Sequence, residues 1–514
     1  MRPSESQRAS LLRPVRRIAA TGMVVALSLP LLGCLSNEII PAAIDLPNFY
    51  RAGPRKPDAA LPSVVWWRGF RSKELTDLIE EALTSNFDVA AAVARIVQAD
   101  AQSRIAGAAL LPIVDLNGSA SRSASSRTTS DSGNGFGGRA RSNFSASLSA
   151  SYEIDFWGKN RATLRAFEEL AVASRFDREV VALTTVVTVA NTYFQVLAAQ
   201  DRLKIARNNI EAADRVFQLI KQRFDVGTAS ALDVAQQESL LNTQRATVPP
   251  LEQALRQNIA TLAVLIGRPP EVVRIRVTSM SALAIPPVTP GLPSDLIGQR
   301  PDIREAEAQL ASANANVHNA RAQFFPSITL TAEGGYQSSA LKNLFRPEST
   351  FFNLAAGLLQ PVLEGGRIQG NFDLQKGKQD ELLQLYRKSI VNGFADVERA
   401  LIAVQQTARR ERLQRNAVAS AQRAFELSET RLREGTVDLI TVLQTQTTLF
   451  QAQDALALDQ LDRLNAVVQL FQALGGGWQK PKPDSPKLVE APPPVEEVTF
   501  PGVAPPRPIG QSRH

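Results

Sequence analysis

The chain has 514 residues, 44% of them hydrophobic, and a formal net charge of +7. Beyond the N-terminus it contains no run of about 20 apolar residues, which excludes a bundle of membrane-spanning helices. Its Arg and Lys are spread through helices rich in Glu, Asp and Gln, which argues against nucleic acid as a partner. The only histidines are His318 and His514, so we expect no metal, no cofactor and no histidine-based catalysis.

The N-terminus has the order of an export signal, which we predict over residues 1–33. A basic segment, an apolar segment (18–32) and a small residue precede Cys34. Leu31-Leu32-Gly33-Cys34 resembles a bacterial lipobox, in which the cysteine is acylated and becomes the first residue of the mature chain. The alternative is a plain secretory signal with an incidental cysteine. An acyl chain on Cys34, such as palmitate, would hold the protein to one leaflet of a membrane without spanning it.

The clearest strand signal follows an arm (34–71) and a helical pattern that begins at Ser72. From Phe144 to Phe156 every even position is apolar and every odd position is polar. This alternation places the two kinds of side chain on opposite faces of a strand. A half-buried strand of a soluble sandwich is the alternative. The length of the run, its small serines and the closing Phe156-Trp157 favour a strand of a membrane barrel.

Three more strands are predicted around this one. They cover about 113–120, 327–332 and 352–359, and the last alternates poorly. Four strands cannot close a barrel, and an open sheet edge cannot lie in lipid. Three chains would supply 12 strands, an even number within the range of such barrels. The pattern therefore predicts a homotrimer that shares one barrel.

A very long helix is predicted from Lys159 to Val226, where the sequence has neither proline nor glycine. At about 1.5 Å per residue it would reach about 100 Å. Apolar residues spaced alternately three and four apart form a heptad seam, which is typical of a coiled coil: Leu203, Ala206, Ile210, Ala213, Phe217, Ile220 and Phe224. The second half of the chain has Ser428 where Ile220 lies. We interpret this polar break as a second, wet face that lines a lumen.

The pattern of helix, two strands, very long helix, turn and helix occurs twice, at an offset of about 210 residues. Gly227 and Gly435 end the two long helices, since glycine readily takes the left-handed conformation of a helix terminator. Pro249-Pro250 must interrupt the first returning helix. We divide the chain into an export signal (1–33), an extended arm (34–71), repeat 1 (72–267), a Pro-rich link (268–299), repeat 2 (300–478) and a disordered Pro-rich tail (479–514).

In their order and spacing these motifs resemble the TolC family of outer-membrane efflux channels, and most of all its lipoprotein branch (NodT/OprM-type). The resemblance covers roughly residues 34–478. The matching segments are the lipobox, the two Gly-Thr turns, Asn86-Phe87-Asp88, Arg300-Pro301-Asp302-Ile303, the run from Tyr152 to Gly158 and the run from Gln360 to Arg367.

The resemblance implies a mainly α fold with a membrane β-barrel. The expected assembly is a homotrimer with a 12-stranded barrel and a long α-helical coiled-coil tunnel in the periplasm. Its expected place is the outer membrane of a Gram-negative bacterium, in contact with outer-membrane lipid. The implied function is that of a passive conduit in a tripartite efflux or multidrug-resistance system. A periplasmic adaptor (membrane fusion) protein and an inner-membrane pump would open it by contact.

The resemblance also implies site residues at the periplasmic end. The tips Val226-Gly227-Thr228 and Glu434-Gly435-Thr436 match the place where adaptor hairpins dock, although plain turn chemistry would also explain them.

A constriction is implied just beyond these tips. Asp233 matches a carboxylate near the family's closed entrance, where three copies would form a negative ring. Its alternative role is to stabilise the first turn of a helix. Thr441 and Gln444 stand where some relatives have gating aspartates, so the entrance is neutral there or uses Asp438 instead.

Two other classes of protein stay open at this point. A lipid-anchored coiled-coil adhesin or scaffold of the envelope would explain the heptads and Cys34, but not the strands between the helices. An enzyme built on Glu153 and Asp155 would lack a nucleophile, a base and a phosphate loop, so we do not expect one. The sequence does not specify the cargo, the pump or the adaptor.

Overall fold

The computed structural model describes residues 49–53, 63–124, 140–288, 291 and 293–478. The predicted export signal, Cys34 and the predicted tail lie outside these residues. The part described contains two similar series of elements, as the sequence repeat predicts. The first series is α1 (Lys73–Ser85), α2 (Phe87–Ala108), β1 (Ile113–Ser123), β2 (Arg141–Ile154), α3 (Lys159–Asp225), α4 (Ala231–Ala246) and α5 (Val248–Leu265). The second is α6 (Pro293–Gln299), α7 (Pro301–Ala322), β3 (Ser327–Ser338), β4 (Thr350–Leu359), α8 (Arg367–Arg433) and α9 (Leu439–Ala473).

The two long helices match each other in length. Helices α3 and α8 both have 67 residues, and each begins directly after a glycine with positive φ. A helix of this length extends about 100 Å. The predicted bounds of α3 are confirmed to within one residue, because nothing inside the segment breaks a helix.

Caps and prolines determine where the shorter helices are interrupted. The Asn86 side chain accepts hydrogen bonds from the backbone N–H groups of Asp88 and Val89 at 2.8 and 3.1 Å, so it caps α2 and separates it from α1. The predicted interruption near Pro249-Pro250 is confirmed, since α4 ends at Ala246 and α5 begins at Val248. Both prolines lie in the first turn of α5, where the missing N–H would have no helical partner anyway.

The sheet has the order β1-β2-β3-β4, and every neighbouring pair is antiparallel. Its register places Leu148 of β2 opposite Leu116 of β1 and Gly334 of β3, and Gly334 lies opposite Phe352 of β4. The apolar positions of the four strands therefore share one face. That face is open, because Leu116 is 81% exposed and Phe352 80%. Strands β1 and β4 are both edges of the sheet that the structure describes.

The largest core lies around the middle of the long helices. Trp66 stacks on Phe471 of α9, with ring centroids 4.7 Å apart, and Phe70 lies 5.1 Å from Phe194 of α3. The short segment Trp66–Phe70 thus packs against both repeats at once. One 18-residue window of α3 is apolar enough to cross a membrane, but 61% of it is buried inside the structure. We therefore interpret that window as a core segment.

Candidate functional site

The ends of the two long helices form matching turns. Gly227 and Gly435 have φ values of 79° and 74°, in the left-handed region that glycine adopts without strain. The N–H of Thr228 donates to the Arg223 carbonyl at 2.8 Å, and that of Thr436 donates to the Arg431 carbonyl at 2.9 Å. A hydrogen bond of this kind, from an N–H to the carbonyl five residues earlier, is characteristic of the Schellman motif at helix C-termini. The glycines are therefore required by turn geometry, while the exposed surface of each turn is available to a partner.

Helix α4 begins with a reciprocal cap. The N–H of Asp233 donates to Ser230 Oγ at 3.1 Å, while the Asp233 carboxylate accepts from both the N–H and the hydroxyl of Ser230 at 2.8 Å. Such a capping box satisfies two N–H groups that the helix itself leaves without partners. The capping role that the sequence allowed for Asp233 is thus present within one chain.

Helix α9 is also capped at its start by the two equivalent positions, but the carboxylate and the hydroxyl have exchanged places. Here Asp438 is the capping residue, and its carboxylate accepts from the N–H of Thr441 at 3.0 Å and from the Thr441 hydroxyl at 2.6 Å. These bonds to Thr441 favour the charged form and so lower the pKa of Asp438 below its ordinary value. Asp438 is exposed, as are Thr441 and Gln444. Among the described residues no hydrogen bond or ion pair joins Asp233 to these three residues.

A residue that the sequence analysis missed joins the two turns. The Arg223 guanidinium, on α3, donates to the carbonyl oxygens of Leu432 and Arg433 at the end of α8, the latter at 3.1 Å. A positive group is favourable there, because the last carbonyls of a helix have no helical partner and the dipole is negative. The available signal was an arginine four residues before the terminating glycine in both repeats.

Next to the turns, the four helices that the turns connect share a narrow core. Its buried residues come from α3, α4, α8 and α9: Ala212, Ala213, Val216, Ile220, Leu241, Ala421, Phe425, Leu432, Leu439, Val442, Leu449 and Phe450. Two fully buried glutamines lie beside it, and Gln237 Nε2 donates to the Ala213 carbonyl at 2.9 Å and to Gln446 Oε1 at 3.4 Å. The part of the heptad seam from Ile210 to Ile220 thus lies at an interface between the repeats, whereas Leu203 and Ala206 pack against Leu251 of α5.

The interpretation of Ser428 as part of a wet face is wrong. Ser428 is only 6% exposed, and its hydroxyl lies 2.8 Å from the Phe425 carbonyl and 2.7 Å from the Thr445 hydroxyl on α9. Buried hydroxyls are normally hydrogen-bonded in this way. The polar break therefore belongs to the packed interface between α8 and α9, where a local partner replaces water.

The polar face of the sheet contains cross-strand hydrogen bonds. Asn117 Nδ2 donates to Ser149 Oγ at 2.9 Å, and the hydroxyls of Ser119 and Ser145 lie 2.8 Å apart. Ser147 also donates to Glu333 on β3 at 2.9 Å. Small polar side chains that bond one another leave space on this face and make it suitable for contact with water.

No group of three His, Cys, Asp or Glu residues in the described ranges is placed to hold a metal ion.

Comparisons with known proteins give one consistent result. The pattern of the family described as outer membrane efflux protein matches residues 78–268 and 292–476. The chain is 44% identical over 416 residues to the pyoverdine export outer membrane protein OpmQ of Pseudomonas aeruginosa, covering 80% of this chain and 87% of that protein. It is 33% identical over 431 residues to the toluene efflux pump outer membrane protein TtgF of Pseudomonas putida, covering 83% of this chain and 88% of that one.

Solved structures show the same fold. The Campylobacter jejuni CmeC outer membrane channel matches with a TM-score of 0.80 and 25% identity, over 86% of this chain and 95% of that one. The open state of the Neisseria gonorrhoeae MtrE outer membrane channel matches with a TM-score of 0.76 and 26% identity, over 86% and 98% of the two chains.

Proposed function

Because the chain belongs to the outer membrane efflux protein family, we propose that three copies of it form a passive export conduit through the outer membrane. Each copy contributes four strands to a 12-stranded barrel and two helical hairpins to a periplasmic tunnel. A periplasmic adaptor and an inner-membrane pump supply the cargo and the energy, and their contact opens the tunnel.

The observation that carries this proposal is the open sheet. One face presents apolar side chains with nothing over them, and both edge strands offer unpaired backbone groups. Lipid accepts the apolar face but not the edges, since each unpaired backbone group in hydrocarbon costs several kcal/mol. Pairing β1 of one copy with β4 of the next removes every edge, and it keeps all neighbouring strands antiparallel.

The periplasmic end has two roles in this proposal. The exposed turns at Val226-Gly227-Thr228 and Glu434-Gly435-Thr436 are the docking surface for the adaptor. Asp233 supplies a ring of three carboxylates at the entrance in addition to its capping bonds, and Asp438 supplies a second acidic position beside the neutral Thr441 and Gln444.

The cargo is not chosen by this protein. Its relatives are named for pyoverdine and for toluene, which indicates that one duct architecture serves chemically different molecules. A passage lined with small polar side chains selects by size and charge, so the pump selects the cargo. We also propose that Cys34 is acylated and anchors the N-terminus to the membrane.

The test is a pair of measurements on protein purified in detergent. The particle mass, corrected for detergent, should equal three chains, and the protein should conduct ions when added to a planar bilayer. A coiled-coil adhesin or scaffold would give no conductance. A monomer that stays soluble without detergent would contradict the shared barrel and the transport function together.

A further inference from the structure

The arginine that joins the two turns of one chain has an equivalent in repeat 2, and no residue in the described part of the chain binds the side chain of that equivalent. Arg223 of α3 binds the carbonyl oxygens of Leu432 and Arg433, the last residues of α8. In the sequence repeat, Arg431 of α8 occupies the position of Arg223, since each arginine precedes its terminating glycine by four residues. Phe224 and Asp225 correspond to Leu432 and Arg433 in the same way.

The two helix ends also match in geometry. The Gly435 N–H donates to the Leu432 carbonyl at 3.1 Å, and the Gly227 N–H donates to the Phe224 carbonyl at 2.9 Å. In repeat 2 the Leu432 carbonyl oxygen accepts both the bond from the Gly435 N–H and the bond from Arg223. The corresponding oxygen in repeat 1 therefore has the geometry needed to bind an arginine.

The Arg431 side chain is available for such a bond. It makes no hydrogen bond or ion pair with any residue that the structure describes, and it is exposed. Arg433, two residues further on, pairs with Glu429 at 2.6 Å. At the other helix end, Phe224 and Asp225 are exposed as well. One chain thus presents an exposed guanidinium at the end of α8 and, at the end of α3, carbonyl groups that no described side chain binds.

We propose that Arg431 binds the Phe224 and Asp225 carbonyls of an adjacent copy of this chain. The inference rests on the proposed trimer, in which repeats 1 and 2 alternate around one axis. A guanidinium at a helix C-terminus meets unsatisfied carbonyls and the negative end of the dipole. The Asp225 carboxylate adds a charge partner that Arg433 cannot offer at the equivalent position.

The entrance then has six arginine clamps, three within chains and three between them. Only the second set must break for neighbouring copies to separate at the turns. An adaptor that opens the tunnel would act against these three contacts first, while each pair of turns joined by Arg223 moves as one unit.

Crosslinking distinguishes the two kinds of clamp. Arg431→Cys with Asp225→Cys is the test pair, and its repeat-equivalent pair, Arg223→Cys with Arg433→Cys, is the matched control. Both are treated as purified full-length protein with a short bismaleimide, and the products are separated under denaturing conditions. We expect covalent dimers and trimers from the test pair, and only monomers from the control pair and from the unmodified protein.

A companion measurement uses milder changes. Arg431→Gln should increase the frequency of channel opening in a planar bilayer several-fold, whereas Arg433→Gln, whose partner is in its own helix, should leave it unchanged. A particle with the mass of three chains in which the test pair gives only monomers would overturn the clamp and leave the conduit intact. A particle with the mass of one chain would overturn the proposed conduit itself.

Discussion

At the scale of single residues, the two acidic residues that we propose for the entrance are explained first by their hydrogen bonds. Asp233 completes a cap with Ser230, and Asp438 makes the equivalent cap with Thr441. In each cap a carboxylate is hydrogen-bonded to a hydroxyl. The hydroxyl comes first along the chain in repeat 1, and the carboxylate comes first in repeat 2. The carboxylate at position 233 therefore serves helix α4, whether or not it also faces a lumen.

The two roles of Asp233 can be separated by substitution. Asp233→Asn removes three charges from the assembly while keeping an oxygen that can accept the Ser230 N–H. We expect it to lower the preference for K⁺ over Cl⁻ in a planar bilayer, because a ring of carboxylates attracts cations.

Ser230→Ala is the control for this prediction. It weakens the cap by about 1 kcal/mol but leaves the carboxylate ring, so the ion preference should not change. Equal ion preference in Asp233→Asn and the unmodified channel would limit Asp233 to its capping role.

At the scale of elements, each strand is defined by its two faces. Strand β4 alternates poorly in sequence because the side away from Phe352 and Leu354 has apolar residues at its two ends and, between them, Asn353, Ala355 and Gly357, which are small rather than strongly polar. A water-facing side needs space as much as polarity, so small residues meet the requirement. The register with β3 then aligns Phe352 and Leu354 with the apolar face of the sheet.

Neighbouring positions of β2 provide the test of this assignment. Leu148→Arg places a charge on the apolar face near the middle of the strand and should destabilise the barrel by about 2–4 kcal/mol per chain. We expect less assembled protein in the outer-membrane fraction. Ser149→Arg places the same charge on the opposite face, where Glu333 lies across from it, and should assemble normally.

The result that contradicts this assignment is a loss of assembly with Ser149→Arg but not with Leu148→Arg. It would mean that the polar side of the sheet meets lipid.

At the scale of the whole molecule, the repeats are held together along most of their length. Aromatic residues join them in the middle, and the narrow core with Arg223 joins them near the turns. The sheet contributes a surface for lipid and for other copies, because its apolar face and both edges remain open. One copy is therefore packed together across its two repeats, while its sheet is left with an uncovered apolar face and two unpaired edges.

This arrangement leads to a prediction about the lipid anchor that we propose at Cys34. Cys34→Ser should abolish the incorporation of labelled palmitate, yet the protein should remain in the outer membrane and still require detergent for extraction. A single acyl chain gives only marginal, reversible membrane binding, whereas a shared barrel places the apolar face of every copy in lipid. Release of the variant as a soluble monomer would contradict the shared barrel.

The sequence by itself determined the repeat, the bounds of α3 and the faces of β2. These features depend on local rules: helix breakers are absent from Lys159 to Asp225, glycine ends each helix, and side chains alternate along a strand. Tertiary structure alone decided the role of Ser428 and the clamp of Arg223 on α8. A periodic pattern shows which residues share a face, but it does not show what covers that face. Only packing decides whether a polar side chain meets water or a hydrogen-bond partner.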